Sequence, residues 1–364
     1  MTGTALAAAQ PAAAPGTVVD FAPLRGAELI SHAGSGFRIV YRTTGQSGEP
    51  EISGGVVYVP EGKPPQGGWP VVSWGHGTSG MIEGCTPSRT NGRIGQVDQT
   101  PDLSRFLGAG YAVAASDYIG LGAPGYHEYL GGRAAGHAVI DVVRAGRALV
   151  PELSASYVAS GLSQGGLAAL FAGSMATEYA PDLNLRGVLA FSPASNVERL
   201  LELMGPNTPV LPLVNGIMEN GVLAIAGLAH ARPDVPIADF LTEKGRAAVR
   251  AAETTPECDL STVQRMVRGH PPGELLAKPL VDPAFEAAFR DYLTIPATGY
   301  PAPIRIAQGV LDDIMPLPAA MLLDQQLDQA GTPADLRIYP TATHNTIVPV
   351  AGQDALDFLH QTLG

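Results

Sequence analysis

Charge is scarce in this chain. Only 15% of its 364 residues are Asp, Glu, Lys or Arg, and 22 Lys and Arg against 34 Asp and Glu leave a net charge of -12. That balance repels phosphate backbones, and no basic stripe interleaved with aromatics is present, which argues against nucleic acid and against anionic membrane surfaces as partners. Cysteine is rarer still. Cys85 and Cys258 permit one disulfide or two free thiols; in an exported chain the bridge is expected, and closing its 173-residue separation contributes about 5 kcal/mol in the chain-entropy model. No cluster of His, Asp, Glu or Cys has metal-ligand spacing, so neither a metal nor another cofactor is expected. Gly-x-Gly-x-x-Gly occurs at Gly75-Gly77-Gly80 and at Gly120-Gly122-Gly125. Neither copy opens a helix at once and no Gly-Lys-Ser/Thr exists, which speaks against a dinucleotide or nucleotide phosphate.

An unbroken apolar run is missing too. The nearest approach is Pro206 to His230, interrupted by Pro209, Pro212, Gly216, Glu219 and Gly221. It reads as a pair of buried or lipid-facing helices and not as a stable membrane span. Residues Met1 to Thr17 carry no charged side chain, so the positive region of an intact signal peptide is absent. They read as a flexible start to a secreted protein whose leader is absent or removed; the alternative is a disordered tail on a cytoplasmic one.

What is present is enough to bury a large core, with 45% hydrophobic residues and a positive mean hydropathy. Short β-rich runs alternate with helical patterns, as in a mainly parallel sheet covered by helices on both faces, an α/β architecture. Gly36 to Thr44 and Gly54 to Glu61 read as an antiparallel opening pair, and Val71 to Trp74, Tyr111 to Ser116 and the segment at Tyr157 as buried strands. Pro101 to Gly108, Gly132 to Val150 and Gly165 to Tyr179 read as helices. After the strand Arg186 to Phe191 the alternation stops, and from about Pro193 to Pro301 only helical patterns occur. It resumes with Ile304 to Gln308, Pro318 to Ala330, Ala334 to Tyr339 and Gly352 to Leu363. The predicted organisation is a tail over 1–17, a core over 18–194 and 301–364, and a helical cap over 195–300, far longer than an ordinary connection.

One junction in this pattern carries chemistry. Gly161-Leu162-Ser163-Gln164-Gly165 joins a strand to a helix through Gly-x-Ser-x-Gly, the mark of a tight turn that lifts a serine above the sheet and needs small residues where neighbouring chain passes. A serine nucleophile requires a base and a carboxylate that holds the base, in the order serine, acid, histidine on such a sheet. Gln308-Gly309-Val310-Leu311-Asp312 ends a strand in a glycine turn. Asp312 is preferred to the adjacent Asp313 because the first acid after that glycine usually points into the site; both could instead cap the helix beginning near Pro316. His344 follows the last strand and is the candidate base, whereas the other seven histidines are out of order or inside a helix. Two backbone N–H donors must hold the oxyanion, and Gln164 and Thr78, in Gly75-His76-Gly77-Thr78, are the candidates. His76 orients that loop, and Asp117 and Tyr118 either line the site or anchor it.

Taken together, His76-Gly77-Thr78, Ser116 to Gly122, Ile140 to Ala145, the elbow, Gln308-Gly309-x-x-Asp312 with Pro316, and His344 resemble the secretory lipases of the Candida antarctica lipase A type, within the α/β-hydrolase superfamily. The resemblance spans about residues 18 to 364 and implies a triad of Ser163, Asp312 and His344 beneath a cap that shapes an acyl tunnel. It implies a small-molecule or lipid ester as substrate. Gly77, Tyr118, Leu213, Ile217 and Met218 are the expected substrate contacts, although the cap residues could equally pack the cap's own core. Peptidase or acyltransferase chemistry on the same triad, and a non-catalytic binding module, are the rival readings; a dehalogenase is disfavoured because its nucleophile is an aspartate.

Overall fold

The computed structural model describes residues 13–90, 92–94, 97–210, 212–256, 258 and 260–364. In chain order its elements are β1 (Val18–Pro23), β2 (Ala33–Thr44), β3 (Pro50–Pro60), β4 (Trp69–Gly75), β5 (Arg93–Ile94), β6 (Val97–Asp98), α1 (Thr100–Gly108), β7 (Ala112–Ile119), α2 (Gly132–Leu149), β8 (Leu153–Leu162), α3 (Gln164–Tyr179) and β9 (Asn184–Phe191). There follow α4 (Val197–Glu202), α5 (Pro212–Ala231), α6 (Glu243–Thr254), α7 (Ser261–Val267), α8 (Pro283–Leu293), β10 (Ile304–Gly309), α9 (Leu317–Gln329), β11 (Ala334–Tyr339), α10 (Ile347–Val350) and α11 (Gly352–Leu363).

Nine strands form one sheet in the order β1-β2-β3-β7-β4-β8-β9-β10-β11. β1, β2 and β3 run antiparallel to their neighbours, and every pairing from β7 to β11 is parallel. β7 and β8 are almost wholly buried apolar runs, as strands covered on both faces must be. One hydrophobic cluster, with Phe106 of α1 and Phe358 of α11, covers one face. The larger cluster covers the other face with α2 and α3 and continues without a break into Leu223 of α5 and Phe289 of α8. The described helices α4 to α8 therefore share the core of the sheet.

Two details differ from the sequence reading. Gly16 and Thr17, expected in a flexible tail, exchange backbone hydrogen bonds with Arg42 and extend the edge of the sheet; residues 1–12 lie outside the described residues. The expected helix pair over 206–230 is a single helix, α5. Pro212 stands at its first position, where a missing N–H costs nothing, and burial of Ile217, Val222 and Leu223 outweighs the roughly 1 kcal/mol that each internal glycine costs. No helix among the described residues is long and apolar enough to cross a membrane.

Three glycines set the geometry at the carboxyl edge. A Cβ at Gly161 or Gly165 would run into the Gly75 carbonyl oxygen, and one at Gly75 would lie 2.9 Å from Gly165 Cα. β4, β8 and the start of α3 are thus in backbone contact. Cys85 and Cys258 are bonded, with Cα atoms 5.2 Å apart, and join the loop after β4 to the segment between α6 and α7.

Two outcomes follow from this packing. Gly165→Ala should remove at least about 3 kcal/mol of stability, because the contact is backbone and cannot yield, and chemical denaturation will read it. The double variant Cys85→Ser, Cys258→Ser should lower the unfolding free energy by about 2 to 5 kcal/mol, measured by the same method.

Candidate active site

Ser163 sits between β8 and α3 with φ 60° and ψ -113°, a conformation side chains disfavour, at a cost of about 1 to 3 kcal/mol. The surroundings hold it there. Its N–H donates to Phe191 O at 2.9 Å, and its carbonyl accepts from Leu167 N and Ala194 N, both at 3.1 Å. The turn is thereby tied to its own helix and to the end of β9, and the side chain stays 7% exposed.

Asp312 and His344 arrive from the neighbouring strands. Leu311 N donates to Ala342 O and Val310 N to Tyr339 O, each at 3.0 Å, so the loops after β10 and β11 are stitched together. His344 Nδ1 donates to the Asp312 carboxylate, at 2.9 Å from Oδ2 and 3.0 Å from Oδ1. Asp312 Oδ1 also accepts from the N–H groups of Ile314 (3.0 Å) and Met315 (2.8 Å), and Oδ2 from Gln308 Nε2 (3.2 Å). Burial alone would raise the pKa of Asp312; the hydrogen bond and charge of His344, with the Met315 N–H, overcome it and hold the carboxyl below the ordinary aspartate range. The carboxylate is therefore ionised and fixes the imidazole with its proton on Nδ1, leaving Nε2 free to accept. Asp313 is exposed and takes no part in this pair. Among the described residues Ser163 Oγ makes no hydrogen bond to His344.

On the opposite side, Gly77 brings the loop after β4 to the serine: a Cβ placed there would lie 3.8 Å from Ser163 Cβ. Thr78 is next in the chain. Gln164 opens α3, and first-turn N–H groups have no acceptor within their helix. His76 braces the loop, with Nδ1 2.5 Å from Gly77 O and Nε2 3.3 Å from Asp117 O. Burial depresses its pKa to about 4, so the ring is neutral. Tyr118 is buried and donates its hydroxyl to His76 O at 2.8 Å. It anchors the loop, the second of the two roles its position suggested, and its hydroxyl is not displayed to a substrate. Asp117 Oδ1 accepts from Ser88 N at 2.9 Å, and burial raises its pKa to about 6. Ile217 and Met218 are each buried in the main core; the side chain of Leu213 lies outside the described residues.

Sequence reasoning missed four side chains that support this site. Gln164 Nε2 donates to His127 Nε2 at 3.0 Å, and His127 Nδ1 donates to Ile119 O at 3.0 Å. Burial lowers the His127 pKa to about 3, which keeps it neutral with that single proton pattern. Thr78 Oγ1 lies 2.6 Å from Tyr129 Oη, which donates to Asn220 Oδ1 at 2.9 Å. Gln308, quoted in the motif Gln308-Gly309-x-x-Asp312 but given no role, holds Asp312 and donates to Met315 O at 2.8 Å. The partners of His127, Tyr129 and Asn220 are up to 91 residues apart, and no local pattern signals them. Among the described residues no group of His, Cys, Asp or Glu could hold a metal ion.

The fold has close counterparts among solved structures. Candida antarctica lipase A superposes with a TM-score of 0.71 at 20% identity, over 94% of this chain and 82% of that one. The rice cell wall degrading esterase LipA from Xanthomonas oryzae gives 0.74 at 18% identity, over 96% and 99%. The sheet order, its helices on both faces and these counterparts make this an α/β-hydrolase fold. In sequence, a probable inactive lipase of Mycobacterium tuberculosis (strain CDC 1551 / Oshkosh) is 29% identical over 327 residues, covering 82% of this chain and 68% of that protein. A secreted triacylglycerol lipase of Malassezia furfur is 26% identical over 248 residues, and the match covers 64% of this chain and half of that protein's length. The family model for secretory lipases matches residues 86–361, and the chain therefore belongs to the secretory lipase family.

Proposed function

We propose that the chain hydrolyses carboxylic esters with apolar acyl groups, using Ser163 as nucleophile, His344 as base and Asp312 as the residue that orients it. The observation that carries this reading is the 2.9 Å hydrogen bond from His344 Nδ1 to a buried Asp312, on loops beside a strained serine elbow. In acylation the Ser163 hydroxyl closes to within about 2.6 to 3.2 Å of His344 Nε2, gives up its proton and attacks the ester carbonyl. The oxyanion is held by the N–H groups of Thr78 and Gln164, each worth about 3 to 4 kcal/mol. The imidazolium then protonates the departing alcohol, and water attacks the acyl-enzyme by the same route in reverse.

Residues 195–300 act as the cap in this reading, and the acyl chain enters the apolar interior near Ile217 and Met218. Family membership and the secreted Malassezia relative support export of this chain, and the substrate is then an extracellular small-molecule or lipid ester. A second reading, a protein without turnover, is favoured by one observation: the Mycobacterium relative is called a probable inactive lipase. Intact supports for both acid and base weigh against it here.

Two measurements test the assignment. Ser163→Ala should abolish hydrolysis of p-nitrophenyl esters and labelling by a fluorophosphonate probe while the thermal transition survives; an unlabelled wild type would favour the second reading. Asp312→Asn should lower kcat about 10⁴-fold, since the wrong tautomer is then stabilised, whereas Asp313→Asn should leave it within about twofold.

A further inference from the structure

The loop between β7 and α2 reaches both sides of the elbow. His127 holds the Gln164 side chain, and Tyr129 holds the Thr78 side chain. Tyr129 also reaches α5, so the same hydroxyl touches the residue after Gly77 and the long apolar helix of the insertion.

The direction of each bond follows from counting protons. Asn220 Nδ2 donates to Gly216 O at 3.0 Å, so it is the amide oxygen, an acceptor only, that faces the phenol. Tyr129 has one proton and gives it to Asn220. The Thr78 hydroxyl must then be the donor in the 2.6 Å bond, with its proton aimed at Tyr129. Burial pushes the phenol pKa upward, which keeps that proton in place. The Tyr129 backbone has little freedom: Tyr292 Oη donates to its carbonyl at 3.0 Å, and a Cβ on Gly227 of α5 would come within 2.7 Å of its nitrogen. The Tyr129 hydroxyl proton can therefore reorient while the Tyr129 backbone stays where it is.

We infer that Asn220 and Tyr129 form a polarity switch that decides whether the Thr78 hydroxyl serves the oxyanion, an inference that rests on the reading of Thr78 as an oxyanion residue. With α5 in place the chain runs from Thr78 to Tyr129 to Asn220, and the Thr78 proton is withheld from the site. When α5 shifts and Asn220 leaves, the Tyr129 proton turns to Thr78 Oγ1. The Thr78 hydroxyl then donates to the oxyanion beside its own N–H, adding a third donor. Ile217 and Met218 lie on the same helix within a turn of Asn220, so an acyl chain that enters among them moves the residue that throws the switch. Long acyl groups thus recruit a donor that short ones do not. Tyr129 is a positioning residue in this scheme, acting through Thr78.

The test measures kcat and KM for p-nitrophenyl acetate and p-nitrophenyl decanoate on the full chain, with fluorophosphonate labelling to count active serines. Asn220→Ala should raise kcat on the acetate ester about tenfold, leave KM within about twofold and barely change decanoate turnover. Tyr129→Phe, which also frees the Thr78 proton, should do the same. In a Thr78→Val background, which keeps the N–H and the shape, neither change should have any effect. Unchanged or lower acetate kcat in both variants, with wild-type thermal transitions, overturns the switch, as does a gain that survives Thr78→Val. A wild type that neither labels nor turns over either ester instead overturns the hydrolase reading beneath it.

Discussion

Backbone contact among Gly75, Gly161 and Gly165 is the constraint on which the rest of the site depends. Parallel strands sit about 4.8 Å apart whatever their sequence, but a helix can start directly off a strand and press against the neighbouring strand only if no Cβ intervenes. That contact gives Ser163 its positive φ and, in the same stroke, delivers the continuation of β4 to the serine. Gly77 arrives beside Ser163 Cβ because Gly75 is already against Gly165. The two candidate oxyanion donors are therefore consequences of a single close approach, and a methyl group there would separate nucleophile and donors together.

The acid and base are assembled independently of that contact. Asp312 accepts from two backbone N–H groups and one amide before it meets His344, so its position does not rely on the imidazole. Burial of an isolated carboxylate would favour the neutral acid. Three donors and the imidazole reverse that preference, and the acid can orient His344 in its ionised form. The parallel register from β9 through β11 carries that pair on the loops that follow β10 and β11.

Much of this arrangement was legible in the sequence because it is local. Gly-x-Ser-x-Gly, the glycine turn before Asp312 and the one histidine in the loop after the last strand each report a backbone shape within a few residues. The choice of Asp312 over Asp313 also followed from the turn, since only the first acid leans inward while the second is exposed. What was not legible depends on partners distant in the chain. His127 looked like one histidine among eight because its roles are defined by Gln164 and Ile119, and Tyr129 carries no motif at all. α5 was misread for a related reason: its prolines and glycines suggested a break, and only the core that receives Ile217 and Leu223 makes a continuous helix the better solution.

The scarcity of charge in the sequence has its counterpart around the elbow. His76 and His127 brace the loop after β4 and the Gln164 side chain, yet burial holds their pKa values at about 4 and about 3, so neither is a cation. A permanent positive charge there would attract a carboxylate product as well as an oxyanion, and so slow release of the product. Neutral rings instead fix dipoles: Gln164 through His127, and one loop carbonyl through the single N–H of His76. Donors oriented before substrate arrives need no rearrangement when the oxyanion forms, which is where preorganisation has its effect. In Thr78, a hydroxyl donates to Tyr129, and Tyr129 in turn donates to Asn220 of α5, so the orientation of the Thr78 hydroxyl is tied to the position of that helix.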